Sequence, residues 1–314
     1  MRFIYGFVLT ILTTAVLNGQ NFKISGIVVD ATNREKLPFA NIMVIGYPIG
    51  TTTDRDGLFE LSLDSSLKNE SIVISYVGYQ ASQLVINENL YYTIELQPLK
   101  IALNEVVIKA QNKKKKPVII NQFKQQDCIV RYSPTNIDNK YFIPTRPKEP
   151  TIEALYFPSM DGSVRNIKVK EVWLQVTNFK SSNSYFNVRI FGANDKHLPS
   201  EDLVNENIIV EVSDKEQLIK VNLEKYNIIM PGNGIFVGFE LLIINDNMSI
   251  AKVSESLKFT LYSPYLNFLR CKEEQKFWLY SKGEWIEASQ ETPHFTKKNV
   301  VLFYKPAISL ILED

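Results

Sequence analysis

Histidine and cysteine are scarce in this sequence, with only two of each among 314 residues. So few of these side chains leave almost no material for a zinc site, a Cys/His nucleophile or a disulfide framework. An excess of one charge is also missing, since 35 Lys and Arg residues face 34 Asp and Glu residues. Arg2 is the only charged residue among the first twenty, so the remainder of the chain has a net charge of zero. A neutral chain argues against a nucleic-acid binder and against a strongly cationic membrane-surface protein.

Familiar catalytic and nucleotide-binding motifs are missing as well. The sequence contains no H-E-x-x-H, G-x-S-x-G, G-x-x-x-x-G-K-[ST] or G-x-G-x-x-G pattern. Composition still permits a packed core, because 45% of the residues are hydrophobic and 22% are charged. The length predicts two ordinary domains rather than one.

The longest apolar run lies at the start of the chain. Arg2 is followed by an apolar stretch from Phe3 to Leu17, and Asn18-Gly19-Gln20 closes it with polar and small residues. This pattern predicts a secretory signal peptide over residues 1–20, with cleavage near Gly19 or Gln20. The run is short for a membrane span, which needs about 20 apolar residues. The alternatives are a buried N-terminal strand and an uncleaved anchor.

The sequence after residue 20 leads to expectations about lipid anchoring, membrane spans and disulfides in the exported chain. No cysteine lies near the predicted cleavage point, so we expect no lipid anchor on the first mature residue. No second stretch of comparable hydrophobicity follows, so we predict no transmembrane segment in the mature chain. Export would permit a disulfide, and Cys128 and Cys271 are the only candidates. The sequence leaves open whether they pair or stay two thiols.

Short strand patterns crowd residues 21–96. Phe59, Leu61 and Leu63 alternate with Glu60 and Ser62, which is the period of a half-buried strand. Residues 71–76 and 91–96 are further strand-like runs, and turn-forming residues separate the runs without any helical periodicity. The pattern is typical of a β-sandwich.

Five motifs follow one another from this region to residue 108. They are Gly26–Asp30 (GIVVD), Leu37–Ile42 (LPFANI), Gly50–Phe59 (GTTTDRDGLF), Ser75–Tyr79 (SYVGY) and Leu103–Ile108 (LNEVVI). In this order they resemble the carboxypeptidase-regulatory-like domain, a transthyretin-like sandwich of seven strands. The resemblance covers under a third of the chain.

The resemblance carries implications about location and activity. In that family the module is an accessory that stands beside metallocarboxypeptidases or at the front of outer-membrane receptors energised through TonB. It carries no known catalytic residues of its own. The resemblance therefore implies a protein of the bacterial cell envelope, which we expect to be exported and periplasmic or associated with the outer membrane.

The acidic segment within the third motif has two interpretations. Asp54-x-Asp56-Gly57 resembles the opening of a calcium loop, but Leu58 and Ser65 occupy the fifth and twelfth positions, where such a loop needs ligands. We therefore predict a hairpin turn, with carboxylates that cap turn amides. We likewise expect the tyrosines of Tyr76–Tyr79 to be core residues that flank a tight turn.

A basic, proline-bearing linker separates the two halves. Lys113 to Lys116 are followed by Pro117, which favours an extended, solvated backbone. We interpret the run as an ordinary charged linker; attraction to lipid phosphates or to an acidic partner is the alternative. We assign residues 21–97 to the first domain, 98–150 to a final strand, the linker and an irregular packed arm, and 151–314 to the second domain.

The second half also has the pattern of strands. Residues 168–177, 186–191, 208–212, 218–223, 235–242, 300–304 and 308–312 are strand-like, and residues 277–286 predict a hairpin. About nine strands of this kind favour a jelly-roll-like β-sandwich. The whole chain is therefore predicted to be all-β.

Candidate residues for chemistry are few. Asp195, Glu201 and Asp202 could gather a cation on a sandwich rim, although solvated loop carboxylates are the simpler interpretation. His197 and His294 both lie in polar turns, so we expect surface residues rather than general bases. We predict no catalytic residue, no metal and no cofactor.

The tryptophans carry the binding hypothesis. Sugar-binding surfaces use exposed aromatic rings, and Trp278, Tyr280 and Trp285 fall together in the predicted hairpin. They are the candidate ligand-binding residues, with packing in a core as the alternative. Trp173 is predicted to lie in the core.

These observations predict an exported, non-catalytic binding or adaptor protein of a Gram-negative envelope. Its partner would be an envelope protein or a glycan, with no role for nucleic acid. The alternatives are a carbohydrate-binding module, and a glycan-active enzyme whose catalytic acids lie in the second domain.

Overall fold

The computed structural model describes residues 21–87, 90–99, 117–124, 128–129, 148–159, 167–180, 182–213, 215–252, 258–271, 276–288, 294–295 and 301–313. Strands dominate these residues, and the predicted all-β, sandwich-like fold is confirmed. Within the described ranges, no helix is both long and apolar enough to cross a membrane. The predicted signal segment and the run Lys113–Lys116 lie outside the described residues.

Seven strands build the first domain. They are β1 (Asn21–Asp30), β2 (Asn41–Val44), β3 (Gly50–Thr52), β4 (Leu58–Asp64), β5 (Ser71–Ser75), β6 (Ser82–Val85) and β7 (Tyr91–Leu96). One sheet has the order β4-β1-β7 and the other has the order β3-β2-β5-β6. Strand β1 pairs antiparallel with β4 and parallel with β7. This is the seven-stranded sandwich that the family resemblance implied.

Alternation along β4 shows how the sequence specifies this sandwich. Phe59, Leu61 and Leu63 point inward and are buried, while the residues between them are exposed. They pack in one core with Ile42 and Ile74 of the opposite sheet. Because removing apolar surface from water is the main driving force for folding, this alternation fixes both the sheet face and the strand register.

Hydrogen bonds join the first and fourth motifs of the family. The Tyr79 hydroxyl donates to Oδ2 of Asp30 over 2.7 Å, and the backbone N–H of Thr32 donates to Oδ1 over 2.6 Å. The side-chain bond from Thr32, followed by the bond from Tyr79, lowers the pKa of Asp30 to about 2. The rings of Tyr76 and Tyr79 pack against the core, and Gly78 supplies a φ of +80° in the turn between them. The tight turn is present as predicted, but the tyrosines are half-buried at the edge of the core rather than core residues.

This network predicts a loss of stability in acid. A carboxyl whose pKa is lower in the folded state stabilises the fold above its unfolded-state pKa of about 3.9, and this contribution disappears as the pH falls towards 2. Asp30→Asn should therefore lower the melting temperature at pH 7, and the difference from wild type should shrink between about pH 5 and pH 2. Thermal denaturation across this range measures the effect, with the exposed Asp56→Asn as the control. A difference that does not change with pH would contradict the assignment.

The acidic segment of the third motif is a tight turn with a capping carboxylate, as predicted, but it joins β3 and β4, which belong to different sheets, so the predicted hairpin is wrong. Oδ1 of Asp54 accepts hydrogen bonds from the backbone N–H groups of Asp56 and Leu58 at 2.8 and 2.9 Å. Gly57 has a φ of +71°, a conformation that favours glycine. The Asp56 carboxylate pairs with Lys36 at the surface. Both carboxylates are thus used by the turn and its surroundings.

The second domain contains the remaining described strands. They are β8 (Val118–Ile120), β9 (Cys128–Ile129), β10 (Thr151–Phe157), β11 (Lys168–Thr177), β12 (Ser184–Ala193), β13 (Pro199–Asp202), β14 (Ile208–Val212), β15 (Glu216–Asn222), β16 (Ile235–Leu241), β17 (Met248–Lys252), β18 (Lys258–Tyr262), β19 (Tyr265–Leu266), β20 (Phe268–Cys271), β21 (Phe277–Ser281), β22 (Glu284–Ala288), β23 (His294–Phe295), β24 (Val301–Pro306) and β25 (Ile308–Glu313). The large sheet has the order β13-β12-β16-β10-β21-β22, with β14 also on β12. The opposing sheet has the order β15-β11-β25-β8, with β19 also on β11. Strands β17 and β18 form a separate hairpin, and β23-β24-β20-β9 form a small sheet.

The core of this domain lies between the large sheet and the opposing sheet. Leu155, Phe186 and Val237 come from the large sheet, and Leu174 and Leu310 come from the opposing sheet. All five are buried. Two sheets that share one apolar core form a sandwich, as the sequence predicted.

Two features of this domain differ from the sequence prediction. Strand β10 is central in the large sheet but has no clear alternation, because Ile152 and Ala154 are buried on one face and Leu155 and Phe157 on the other. The arm assigned as irregular contributes β8, which pairs with β25 at the edge of the opposing sheet. It also contributes β9, whose Cys128 lies opposite Leu269 in the backbone register.

Candidate functional site

An aromatic cluster lies on the outer face of the large sheet, opposite the domain core. It consists of Tyr156, Phe191, Phe236, Trp278, Tyr280 and Trp285. The three predicted ligand-binding residues, Trp278, Tyr280 and Trp285, therefore do come together. They lie on adjacent strands, since β21 pairs with β22 and places Tyr280 directly opposite Trp285.

The aromatic cluster fills a concave face. The rings of Phe191 on β12 and Trp285 on β22 have centroids 5.2 Å apart, although β16, β10 and β21 lie between these strands. In a flat sheet four strand spacings would separate their backbones by about 19 Å. The sheet therefore curves and its long side chains lean inward over a floor of small residues, Ala154 and Gly238. A Cβ atom on Gly238 would lie 2.8 Å from Cγ2 of Ile152, so the floor is tightly packed.

The predicted ligand-binding residues differ in their accessibility. The Trp278 side chain is only 7% exposed, and its ring packs edge-on against Phe236 at 5.1 Å. Its Nε1 has no hydrogen-bond partner in the described part of the chain. Tyr280 and Trp285 are half-buried, and their ring centroids are 5.3 Å apart. Burial raises the pKa of the Tyr280 hydroxyl. Of the three predicted residues, only Tyr280 and Trp285 offer ring surface to a ligand.

The prediction that Trp173 lies in the core is wrong. Trp173 is half-buried on the outer face of the opposing sheet, where its Nε1 donates to Glu171 and Nζ of Lys220 lies 4.2 Å from its ring centroid. Its neighbours at the strand period are Glu171 and Gln175, whereas the inward face belongs to Val172 and its period-two partners. A register irregularity between Val169 and Glu171 shifts the apolar alternation.

An arginine whose side chain is 12% exposed lies beside the aromatic cluster. Arg189 forms a bidentate ion pair with Asp202, with N–O distances of 2.9 and 2.6 Å, and a second ion pair with Glu240 at 2.8 Å. Its guanidinium lies 4.9 Å from the ring centroid of Phe191. Burial disfavours the charged form, but Glu240 and Asp202 outweigh it and raise the pKa of Arg189. Arg189 therefore stays charged and fully paired.

Glu240 connects this arginine to the first domain. The Glu240 side chain is 1% exposed and accepts hydrogen bonds from Asn187 of its own domain and from Asn41 of the first domain, both at 2.6 Å. We call Asn41, Asn187, Arg189, Asp202 and Glu240 the polar joint. Burying charges is costly unless every group is paired, and here the carboxylate of Glu240 has three donors.

Further hydrogen bonds along β3 reinforce the polar joint. The N–H of Thr52 donates to the carbonyl of Ile243, and the N–H of Ile243 donates to the Thr52 hydroxyl over 3.0 Å. The N–H of Gly50 donates to the carbonyl of Lys148 over 2.7 Å. These bonds use one edge of β3, so the first domain is docked on the second through its own sheet edge.

The turn of the third motif also contacts the second domain. Arg55 lies between the two turn aspartates, and its guanidinium is 4.7 Å from the ring centroid of Tyr185. Its Nε lies 3.4 Å from the Asp246 carboxylate. Arg55 therefore places the motif turn at the interface between domains.

The acidic residues singled out in the sequence do not converge on a cation site. Asp202 is held by Arg189, Asp195 accepts a hydrogen bond from Asn233 at 2.9 Å, and Glu201 is exposed. Among the described residues there is no group of three or more His, Cys, Asp or Glu side chains that could hold a metal ion.

The two histidines lie in separate parts of the second domain. His197 is an exposed turn residue with a φ of +54°, as predicted. Its Nδ1 lies 2.9 Å from the hydroxyl of Tyr156, which donates to the carbonyl of Asn233 over 2.7 Å. His294 belongs to strand β23, and its side chain lies outside the described residues.

The sequence interpretation missed the polar joint. Its available signal was a single charged residue within each of two otherwise apolar strands, Arg189 in FNVRIF and Glu240 in IFVGFEL. A charge in such a strand predicts a buried partner, because an unpaired charge would destabilise the sheet. Asn41, the member from the first domain, lies within a family motif and resembled an ordinary strand residue.

Family comparison agrees with this architecture for the first domain. Residues 24–108 match the family model described as CarboxypepD_reg-like domain. The first domain is a carboxypeptidase-regulatory-like domain. The match extends through Leu103–Ile108, the segment whose sequence resembled the final strand of the family.

Two curated relatives share this region. TonB-dependent receptor SusC of Bacteroides thetaiotaomicron is 36% identical over 89 residues, which is 28% of this chain and 8% of that receptor. TonB-dependent receptor P3 of Formosa agariphila is 28% identical over 102 residues, which is 32% of this chain and 10% of that receptor. The matching segment thus spans a tenth or less of the length of these relatives.

A solved structure covers more of the chain at low similarity. It is the structure of a Bacteroides fragilis NCTC 9343 protein described as membrane-associated and of unknown function, which is 10% identical to this chain. The alignment covers 94% of this chain and 98% of that protein. The TM-score is 0.21, which carries no argument about fold or function.

Proposed function

We propose that this chain is an exported, non-catalytic binding or adaptor protein of a Gram-negative envelope that works with outer-membrane uptake systems. The observation that carries the proposal is the docking of a carboxypeptidase-regulatory-like domain on a second sandwich through the polar joint. The same type of segment occurs in two TonB-dependent receptors, which supports a role beside such receptors. A fixed pair of sandwiches offers partners one continuous surface, as an adaptor requires.

The positions of the polar side chains support a non-catalytic role. General acid–base catalysis needs a group that can exchange a proton with a substrate at working pH. Asp202 is committed to its ion pair with Arg189, and Glu240 has three donors around its carboxylate. These groups serve the packing between domains and leave no proton-transfer pair in the polar joint.

A carbohydrate-binding module is the second candidate. The half-buried rings of Tyr280 and Trp285 favour it, because they lie side by side at the surface of the aromatic cluster. A sugar would stack on these two rings, while Trp278 would support them from below. The adaptor role is preferred because most of the aromatic cluster is used in packing.

Cell fractionation tests the envelope location. Mass spectrometry of the envelope fraction should find the protein with a start near residue 20 or 21 and without a lipid, because the apolar run is expected to be removed on export. A cytosolic protein that retains Met1 would overturn the proposal. A marker enzyme of the cytosol, followed in the same fractions, is the control for leakage.

A further inference from the structure

An open edge of the first sandwich borders a groove between the two domains. Strand β4 pairs with β1 on one side, and no other described strand pairs with its second edge. All seven residues Leu58–Asp64 border the groove, whichever face of the sheet their side chains occupy. The groove therefore runs along the edge of the strand, where its unpaired backbone groups are. Its volume is about 1150 Å³.

The β17–β18 hairpin of the second domain forms the opposite wall. Met248, Lys258, Thr260 and Tyr262 border the groove and lie on one face of the hairpin, since Met248 is opposite Tyr262 and Ile250 is opposite Thr260. The polar joint and the backbone bonds of β3 hold the two walls together. The width of the groove is therefore set by the docking of the domains.

Exposed apolar side chains gather at this groove. Leu58, Tyr91 and Met248 border it and are exposed, and Ile250 on the same hairpin face is 63% exposed. A group of large exposed apolar residues around a concavity indicates an interaction surface. Strand β4 has no proline, no lysine and no break in its register, and its only charged residues are Glu60 and Asp64.

We propose that this groove binds an extended segment of a partner protein, which adds as a strand beside β4 and alternates apolar with basic residues. Backbone hydrogen bonds to the open edge would supply affinity, and alternate side chains would supply specificity. Seven residues of strand extend about 24 Å, enough to seat a peptide of similar length.

The charges on β4 determine the chemistry of the partner. On one face of the strand Glu60 and Asp64 are exposed, and Glu60 also pairs with Lys23 of β1 at 2.8 Å. On the other face Phe59, Leu61 and Leu63 point to the core. An added strand continues both faces, so its side chains alternate between an acidic surface and an apolar interior. Basic and apolar residues in alternation fit that pattern.

Fluorescence anisotropy with synthetic peptides tests the proposal on the purified two-domain protein. The probes are labelled eight-residue peptides that alternate valine with lysine, valine with glutamate, or valine with lysine but with proline in the middle. The Val-Lys peptide should bind at least about tenfold more tightly than the other two, because it alone matches both charge and backbone. Equal binding of all three would overturn the proposal.

Two matched variants locate the binding. Met248→Lys places a positive charge on the groove wall and should weaken binding of the Val-Lys peptide about fivefold or more. Val85→Lys is the control, because Val85 is 53% exposed on β6, an edge strand of the other sheet that does not border the groove. Both residues are exposed, so melting temperatures should stay near wild type. An equal effect of the two substitutions would contradict the groove as the site.

Hydrogen exchange identifies the occupant of the edge. Bound peptide should slow exchange in residues 58–64 and leave residues 82–85 of β6 unchanged. Protection of 58–64 before peptide is added would show that the chain's own residues fill the edge, and protection that rises with protein concentration would show a second copy. Either result would overturn the proposal. The outcome is independent of envelope location, so failure here leaves the proposed function intact.

Discussion

Glu240→Ala should lower the free energy of unfolding by about 3 kcal/mol or more, because it removes a buried ion pair and leaves two buried amides without their acceptor. Arg189 would keep Asp202 but lose its second carboxylate, and the amides of Asn41 and Asn187 would lose their acceptor. Urea denaturation followed by tryptophan fluorescence measures the change. The first domain contains no tryptophan, so circular dichroism should be followed in parallel.

The matched control for this prediction is Glu60→Ala. Glu60 pairs with Lys23 at 2.8 Å, but both side chains are exposed, so its loss should change the stability by less than about 1 kcal/mol. Glu240→Gln separates charge from shape, and it should fall between wild type and Glu240→Ala. Equal stability of Glu240→Ala and Glu60→Ala would show that the polar joint does not hold the domains together.

Trp278→Ala should destabilise the protein by about 3–5 kcal/mol, the range for removing a large buried aromatic side chain. Its ring packs against Phe236 over the tight floor of the large sheet, so the cavity left behind has little freedom to close. Trp285→Ala should cost less, because that ring is half-buried at the rim. Thermal and chemical denaturation give both values.

Retention on glycan columns tests separately whether the aromatic cluster binds sugars. Trp173→Ala is the control, since Trp173 is also half-buried but lies on the opposing sheet, away from the aromatic cluster. If the aromatic cluster binds sugars, Trp285→Ala should lose retention while Trp173→Ala keeps it. A Trp278→Ala variant of normal stability would contradict the placement of Trp278 in a packed cluster.

Much of the fold could be predicted from local patterns. Strand β11 was predicted with its observed bounds, Lys168–Thr177, and β14 with Ile208–Val212, because each has a β-rich run bounded by polar residues. The first domain could also be identified from its motifs. The network of Asp30, Thr32 and Tyr79 gives a physical reason for two of them, since distant segments must carry complementary donors and acceptors.

Strand β10 could not be predicted, because burial on both faces removes the alternation that marks a strand. Trp173 was placed wrongly although the local pattern was sufficient, since Val172, Leu174 and Val176 define the inward face and Trp173 has the opposite parity.

The candidate site could be predicted only in part. The hairpin spacing brought Trp278, Tyr280 and Trp285 together, because adjacent antiparallel strands share a face. Their burial could not be derived, since it depends on Phe191 and Phe236 from strands far away in the chain. The polar joint needs Asn41 and Glu240, which lie in different domains and meet only after docking.

Cross-linking mass spectrometry on intact outer-membrane fractions tests the proposed function most directly. Lysine-reactive reagents would report neighbours of the exposed side chains of both domains, such as Lys23 and Lys225. The account predicts cross-links from this chain to a TonB-dependent receptor, absent from a strain that lacks the protein. Abundant protein in the fraction with cross-links only within its own chain would contradict an adaptor role at these receptors.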